Sequence, residues 1–306
     1  VLQSSLASYS AAMKKIFFFI LRWSGINALF RTLVQRNKVT ILLLHDPTPE
    51  AADKTFAYLS KHYNVIDLNT FIEAHQNQDQ SNIPAKAVVI TFDDGHIGNY
   101  HLLPTLKKHQ LPITIFLCSS IVGTNRHFWF QKTHPAYDVE TLKKKTTQER
   151  LRLLGEVGFA KDKEYDIPKA MSKEQIAEMV PYVNFQAHTL FHPCLPMCTK
   201  AEAWHELDQC KKDLKNNFQL PTNTISYPNG DYSDRDISLS KKAGYQCGIT
   251  VDFGFNTLKT DLFRLKRMDV NDTTDVNELA VKASGLWHFF KTRNGQRMPG
   301  YMTAVE

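Results

Sequence analysis

Long hydrophobic runs are missing from this chain. None approaches the roughly 20 residues that a membrane-spanning helix needs, which excludes a polytopic membrane protein. Cysteine is scarce, at five in 306 residues. An odd number so thinly spread is not a disulfide scaffold, and a reducing compartment, the cytoplasm, is the simpler expectation. No internal repeat and no low-complexity linker marks a domain boundary. Acidic residues are absent ahead of Asp46. Before it stand Lys14, Lys15, Arg22, Arg31, Arg36 and Lys38, and these six cations equal the whole formal excess of +6. The remainder is neutral, so general nucleic-acid binding is not supported. What is present is ordinary globular material, 42% hydrophobic and 22% charged, enough for a sizeable core. The length fits two domains or one α/β barrel.

Residues 1–12 read as a cloning remnant or a stretch ahead of an alternative start at Met13. Residues 13–38 form a basic amphipathic segment. The run 16–21 is too short for a signal peptide, Arg22 interrupts it, and no small-residue cleavage site follows. As a helix it aligns Ile16, Phe19, Ile20, Trp23, Ile26, Phe30 and Leu33 at spacings of three and four, with most cations off that stripe. Two uses fit: an in-plane helix on an anionic membrane, peripheral on the cytosolic face, or a helix packed against the following domain.

From residue 39 onward the chain alternates strands and helices. Strand-like runs fall at 39–44, 63–66, 87–92, 113–118, 183–187, 223–227, 246–251 and 263–268, and helical patterns at 50–62, 70–76, 100–109, 173–179, 201–217, 235–243 and 276–290. Alternation of this kind implies parallel strands with helices outside, and seven or eight units over 39–306 predict a (β/α) barrel. The irregular stretch 123–170, with aromatics at 127–130 and lysines at 143–145, reads as an excursion over the barrel mouth, its lysines a solvated helical face.

In such barrels chemistry gathers where strands end. Those ends read His45-Asp46, Asp93-Asp94-Gly95, His188 with His192, and Tyr227-Pro228-Asn229-Gly230. Adjacent carboxylates repel, and a cation resolves the conflict: one Asp ligates while the other stays free as a base. Without a cation the pair would be a helix cap with an exposed partner. His188 and His192 are four apart, which brings two imidazoles to one side of a helical turn. Two His and one carboxylate make a three-ligand set with open positions. A thiolate site through Cys194 and Cys198 is the alternative, although a second close Cys/His pair is missing.

Thr91-Phe92-Asp93-Asp94-Gly95, His188-Thr189-Leu190-Phe191-His192 and Tyr227-Pro228-Asn229-Gly230 resemble, in order and strand context, the first three motifs of the polysaccharide deacetylases (carbohydrate esterase family 4, the NodB-homology domain). The resemblance runs from about His45 to Arg267. It implies a distorted (β/α)7–8 barrel and a hydrolase of linear amides that removes acetyl groups from an N-acetylated amino sugar, in a polysaccharide or a lipid-linked glycan. It also implies that Asp94, His188 and His192 bind a divalent metal, Zn2+ or else Co2+ or Ni2+. Asp93 would be the base toward the metal-activated water, and the backbone amide of Asn229, after Pro228, would help to hold the oxyanion. Two departures stand out. Many members open the third motif with an Arg that pairs with the base; here Ser226 stands there, and Arg267 is the candidate replacement. The late Leu-x-His motif is also missing, since His288 lies in a helical aromatic context. Leu43-Leu44-His45-Asp46 instead ends the first strand, as in a circularly permuted branch, which makes His45 the acid, oriented by a neighbouring carboxylate such as Asp46. Phe128, Trp129, Phe130 and Phe191, with Trp129 and Phe191 foremost, either stack on a sugar face or close the barrel top. The competing readings are a degenerate glycan-binding or scaffold barrel, and an amidase on small cyclic amides.

Overall fold

The computed structural model describes residues 2–293 and 300–305. Val1, residues 294–299 and Glu306, which belong to the expected segments 1–12 and 39–306, lie outside the described residues. The strands are β1 (Thr40–Leu44), β2 (Asn64–Val65), β3 (Ala87–Phe92), β4 (Ile113–Leu117), β5 (Val183–Ala187), β6 (Thr224–Ser226), β7 (Cys247–Phe253) and β8 (Leu265–Asp269). The helices in the first half are α1 (Leu2–Trp23), α2 (Ile26–Leu33), α3 (Pro49–His62), α4 (Leu68–Gln76), α5 (Ile97–Tyr100) and α6 (Leu103–His109). There follow α7 (Val139–Lys143), α8 (Thr147–Glu156), α9 (Lys173–Met179), α10 (Lys200–Phe218), α11 (Asp234–Lys242), α12 (Val276–Ala283) and α13 (Leu286–Arg293). All eight strand-like runs of the sequence form strands. Every strand pairing between these elements is parallel.

β1 closes the barrel. It pairs along its length with β3, from Thr40 beside Val88 to Leu44 beside Phe92, and with β8 through Leu42 beside Met268. The ring therefore runs β1-β3-β4-β5-β6-β7-β8, seven strands. β2 stays outside it, paired only with Ala87 and Val88 at the start of the β3 edge that β4 occupies further along. The β5–β6 join is a single pair, Ala187 beside Ile225, and marks where the barrel is distorted.

Alternation along each strand sorts side chains into two layers. Val39, Ile41, Ala87, Val89, Phe116, Cys247, Ile249 and Leu265 share one cluster with Leu68, Phe71 and Ile72, which lie on or beside α4. Leu42, Leu44, Val88, Ile90 and Phe92 share the other with Ala52, Phe56 and Leu59 of α3. The first layer is the barrel interior. Continuing its parity to the strand ends puts Leu43, His45, Asp93, His188, Ser226 and Arg267 on that side.

The helix expected over 13–38 is broken in two. α1 runs without a break across Met13, Gly25 follows at φ +80°, and α2 ends at Leu33. The pair bends by 58° at this break, and among the described residues no single helix is long and apolar enough to cross a membrane. Phe18 and Leu21 bury against Val281 and Leu286, Lys14 pairs with Glu278 at 3.0 Å, and the Arg22 guanidinium donates to Asn277. α1 is thus clamped to α12 by the side opposite most of the anticipated stripe. Ile16, Phe19, Ile20, Trp23, Ile26 and Leu33 face solvent, Trp23 at 67% and Leu33 at 69% exposure.

The helix expected over 276–290 breaks likewise, at Ser284–Gly285, where Gly285 takes φ +80°. All five cysteines are unpaired and buried. Burial pushes the thiol of Cys194 up to about 11 and those of Cys198 and Cys210 up to about 12.

Candidate active site

At the C-terminal ends of the strands a cleft of about 450 Å³ is lined by Leu43, His45, Asp93, Asp94, His188, His192, Asn229 and Arg267, among others. The β3 end sets the geometry. Asp94 takes φ +76° and Gly95 follows at φ +76°, with the Gly95 N–H donating to the Asp93 carbonyl at 3.0 Å. A Cβ at Gly95 would lie 2.6 Å from a Leu117 methyl, so sterics and backbone both demand glycine. This turn splits the two carboxylates. Asp93 continues the strand parity into the barrel, and Asp94 swings toward β5.

Asp93 is held by charge. Arg267 donates from both terminal nitrogens to the two carboxylate oxygens, at 2.7 and 2.8 Å, and from Nε to the Thr250 carbonyl at 2.8 Å. It also donates to Ser226 Oγ at 3.0 Å, and that hydroxyl lies 3.3 Å from Asp93. Arg267 is fully buried. Burial alone would raise the Asp93 pKa, but Arg267 and then His188 outweigh it and hold the carboxyl below its usual range. Asp93 is therefore ionised, with a fixed plane.

Asp94 meets the two imidazoles. Its Oδ1 lies 3.4 Å from His188 Nε2 and 3.3 Å from His192 Nε2, and all three side chains are buried. His188 Nδ1 lies 2.8 Å from the Ser226 carbonyl, which accepts only if that nitrogen carries the proton. Burial alone would lower the His188 pKa, but the charges of Asp93 and Asp94 outweigh it and hold the imidazole above its usual range, with its Nε2 facing Asp94 Oδ1. That Nε2 and Asp94 Oδ1 are buried without a hydrogen-bond partner. Burial pushes the His192 imidazole down to about 3, so it is neutral and offers a lone pair. A carboxylate and two imidazoles converging in a buried space are costly unless a proton or a metal cation lies between them. Asp94, His188 and His192 are the one group among the described residues whose ligand atoms lie within 4.8 Å of one another. The residues present fit a divalent metal. Cys194 and Cys198 stand apart from this group: the Cys194 thiol accepts from Asn229 Nδ2 at 3.3 Å, and the Cys198 thiol donates to the Cys194 carbonyl.

The other expected residues fall into two groups. His45 is exposed at the end of β1 and lines the cleft. Its backbone N–H and that of Asp46 donate to the two Asp272 oxygens, at 3.1 and 2.9 Å. The Asp46 carboxylate instead lies against Gly98. Asn229 adopts φ +57° after the buried Pro228 and lines the cleft. Phe128 is fully buried, and two further aromatic expectations are corrected. Trp129 is 1% exposed and its indole N–H donates to the His192 carbonyl at 2.7 Å. Phe191 lines a separate cavity behind the 188–192 turn. Neither offers a face to the cleft; Phe130, packed on the His192 ring at 4.7 Å, does. Lys143, expected to be solvated, lines the cleft with Val139. His288 is buried, its ring 4.4 Å from that of Phe253.

Sequence reasoning passed over three residues. His96 is buried and donates from Nε2 to Asp94 Oδ2 at 3.0 Å, fixing the oxygen that does not face the imidazoles. It directly follows the Asp-Asp-Gly turn, and that adjacency was the available signal. Asp272 and Glu206 act through backbone N–H groups far away in sequence, which no local pattern announces. Burial pushes the Glu206 carboxyl up to about 7.

Comparison with known proteins is in keeping with this geometry. The sequence profile described as polysaccharide deacetylase matches residues 80–248. YxkH of Bacillus subtilis, named for the same activity, is 27% identical over 188 residues, which cover 61% of this chain and 52% of that protein. Poly-beta-1,6-N-acetyl-D-glucosamine N-deacetylase of Staphylococcus epidermidis is 25% identical over 225 residues, covering 70% of this chain and 64% of that one. The chain thus spans about half to two thirds of the length of these relatives. Among solved structures, the Streptococcus pyogenes deacetylase PplD in complex with acetate superposes with a TM-score of 0.58 at 21% identity, over 81% of this chain and 99% of that one. That likeness is one of fold.

Proposed function

The chain belongs to the polysaccharide deacetylase family, and from that premise we propose that it is a metal-dependent N-deacetylase of an N-acetylated amino sugar within a glycan. The observation that carries this reading is the convergence of Asp94 Oδ1 and His188 Nε2, both buried and without partners, at His192. A divalent cation held by these three side chains, with zinc, cobalt and nickel all suited to nitrogen and oxygen donors, would polarise the amide carbonyl and lower the pKa of a water.

The remaining work falls to the chain's own groups. Asp93, ionised and fixed by Arg267, accepts the proton of the attacking water. The Asn229 N–H, presented by its left-handed turn, donates to the developing oxyanion. His45, across the cleft on the neighbouring strand, gives a proton to the departing amine. Phe130 offers a ring to a sugar face, and Lys143 stands at the edge of the cleft. The test is release of acetate from N-acetylglucosamine oligomers, abolished by a chelator and restored by added metal; release from small cyclic amides instead would refute the sugar reading. In the same assay His45→Ala should lower turnover about 10²-fold with little change in bound metal. Loss of both together would refute the division of roles.

We further propose that the exposed apolar face of α1 and α2 lies in the plane of an anionic bilayer, on the cytosolic side, and that the natural substrate is lipid-linked. Charge complementarity supports this: six cations and no acid occupy the stretch that carries the exposed apolar face. The protein should float with vesicles containing phosphatidylglycerol and not with phosphatidylcholine alone. Removing the Lys15 and Arg36 charges should weaken partition about thirtyfold, at about 1 kcal/mol per charge. Equal flotation on both vesicle types would sink the proposal.

A further inference from the structure

We infer that Glu206, on a helix outside the barrel, is a positioning residue for the metal ligands: its carboxylate holds the 189–192 turn in the shape that aims His188 and His192 at one point. The inference rests on the metal-dependent reading above. Glu206 occupies an unusual place. On α10 the buried positions are Ala203, Leu207, Cys210 and Leu214, and Glu206 adjoins that stripe, where an apolar side chain is the ordinary choice. Its Oε2 accepts from two successive backbone N–H groups, Leu190 at 2.9 Å and Phe191 at 3.0 Å.

Those two N–H groups lie inside a strained turn with one side-chain bond of its own, from His192 N–H to Thr189 Oγ1. Thr189 has φ +67° and His192 φ +55°, left-handed values that cost energy for residues with a Cβ and persist only where the surroundings impose them. The surroundings can be named. The Thr189 and Leu190 carbonyls accept from the Ser119 and Ser120 N–H groups. The His192 N–H donates to Thr189 Oγ1 at 3.2 Å, and the His192 carbonyl accepts from Trp129. Glu206 takes the two N–H groups between the ligands. Without an acceptor there, those groups would turn toward water and the imidazole at 192 would rotate out of register with that at 188. An oxygen at this distance is what the turn requires, so an amide in place of the acid should suffice.

Three variants test this by titrating the metal-free protein with Zn2+ against a chromophoric chelator, with the Co2+ absorption spectrum as a second readout. Glu206→Leu keeps the packing and removes the acceptor; it should weaken metal affinity about 10–100-fold and alter the cobalt spectrum. Glu206→Gln should stay within about threefold of wild type, on the reasoning that an acceptor oxygen suffices. Glu206→Asp withdraws the oxygen by one methylene and should weaken affinity about tenfold, which keeps the test decisive if the leucine variant does not fold. Wild-type affinity and spectrum in Glu206→Asp, and in Glu206→Leu where that variant folds, would overturn the inference while leaving the deacetylase reading intact. Wild-type protein that binds no metal would overturn that reading, and this inference with it.

Discussion

Replacing His188 and His192 together by alanine is expected to reduce bound divalent metal from about one per chain to none, and to take all acyl release with it. The expectation follows from how little else could hold a cation. With both imidazoles gone, Asp94 is the one remaining member of the ligand group, and His96 already occupies its other oxygen. A lone carboxylate cannot compete with chelators for a transition metal. Metal content by elemental analysis decides the matter without knowledge of the sugar. Retention of metal in the double variant would place the binding site elsewhere, whereas absence from both proteins, even after adding zinc or cobalt, would favour a non-catalytic barrel.

Arg267→Met is expected to destabilise the fold by about 3–5 kcal/mol, because it strands an ionised, buried carboxylate. Asp93 is 4% exposed and Arg267 fully buried, and the guanidinium supplies the two shortest contacts that the carboxylate makes. Pairing Arg267→Met with Asp93→Asn removes the charge on both sides and should recover most of the loss. Denaturant unfolding of the two single variants and the double variant gives the coupling directly. Additive losses would mean that the pair is not coupled as drawn. The double variant should nevertheless be inactive, since the group proposed as proton acceptor is gone. Stability and turnover thereby separate at one residue.

Much of this was legible in the sequence, for physical reasons. The apolar run 87–92 ends at Asp93, and the runs 39–44, 183–187 and 223–227 likewise lead into His45, His188 and the Pro228-Asn229-Gly230 turn. Four strand ends could therefore be read as one rim, with Arg267 placed against Asp93 although 174 positions separate them. What could not be read depended on through-space neighbours. Whether the first strand would lie beside the Asp93 strand or close against the last was open; it does both. Trp129 could have stacked on a sugar or closed the barrel top; its N–H found the His192 carbonyl, and the ring is buried. The segment 13–38 showed its apolar stripe but not which side the barrel would grip. Phe18 and Leu21, off most of that stripe, made the contact instead. Ser24-Gly25 is a turn dipeptide, but the apolar stripe continues on both sides of it and hid the break.

The state of the cysteines has a practical consequence. A thiol reacts as its thiolate, and thiols held near 11 and 12 contribute almost none at neutral pH. The remaining two, Cys118 and Cys247, are also pushed up by burial. Alkylating reagents should therefore leave the folded chain unlabelled, which makes the wild type a silent background for site-directed chemistry. A single cysteine placed at Trp23 would then take an environment-sensitive fluorophore alone, and its emission in the presence of vesicles would read how deep the first helix sits.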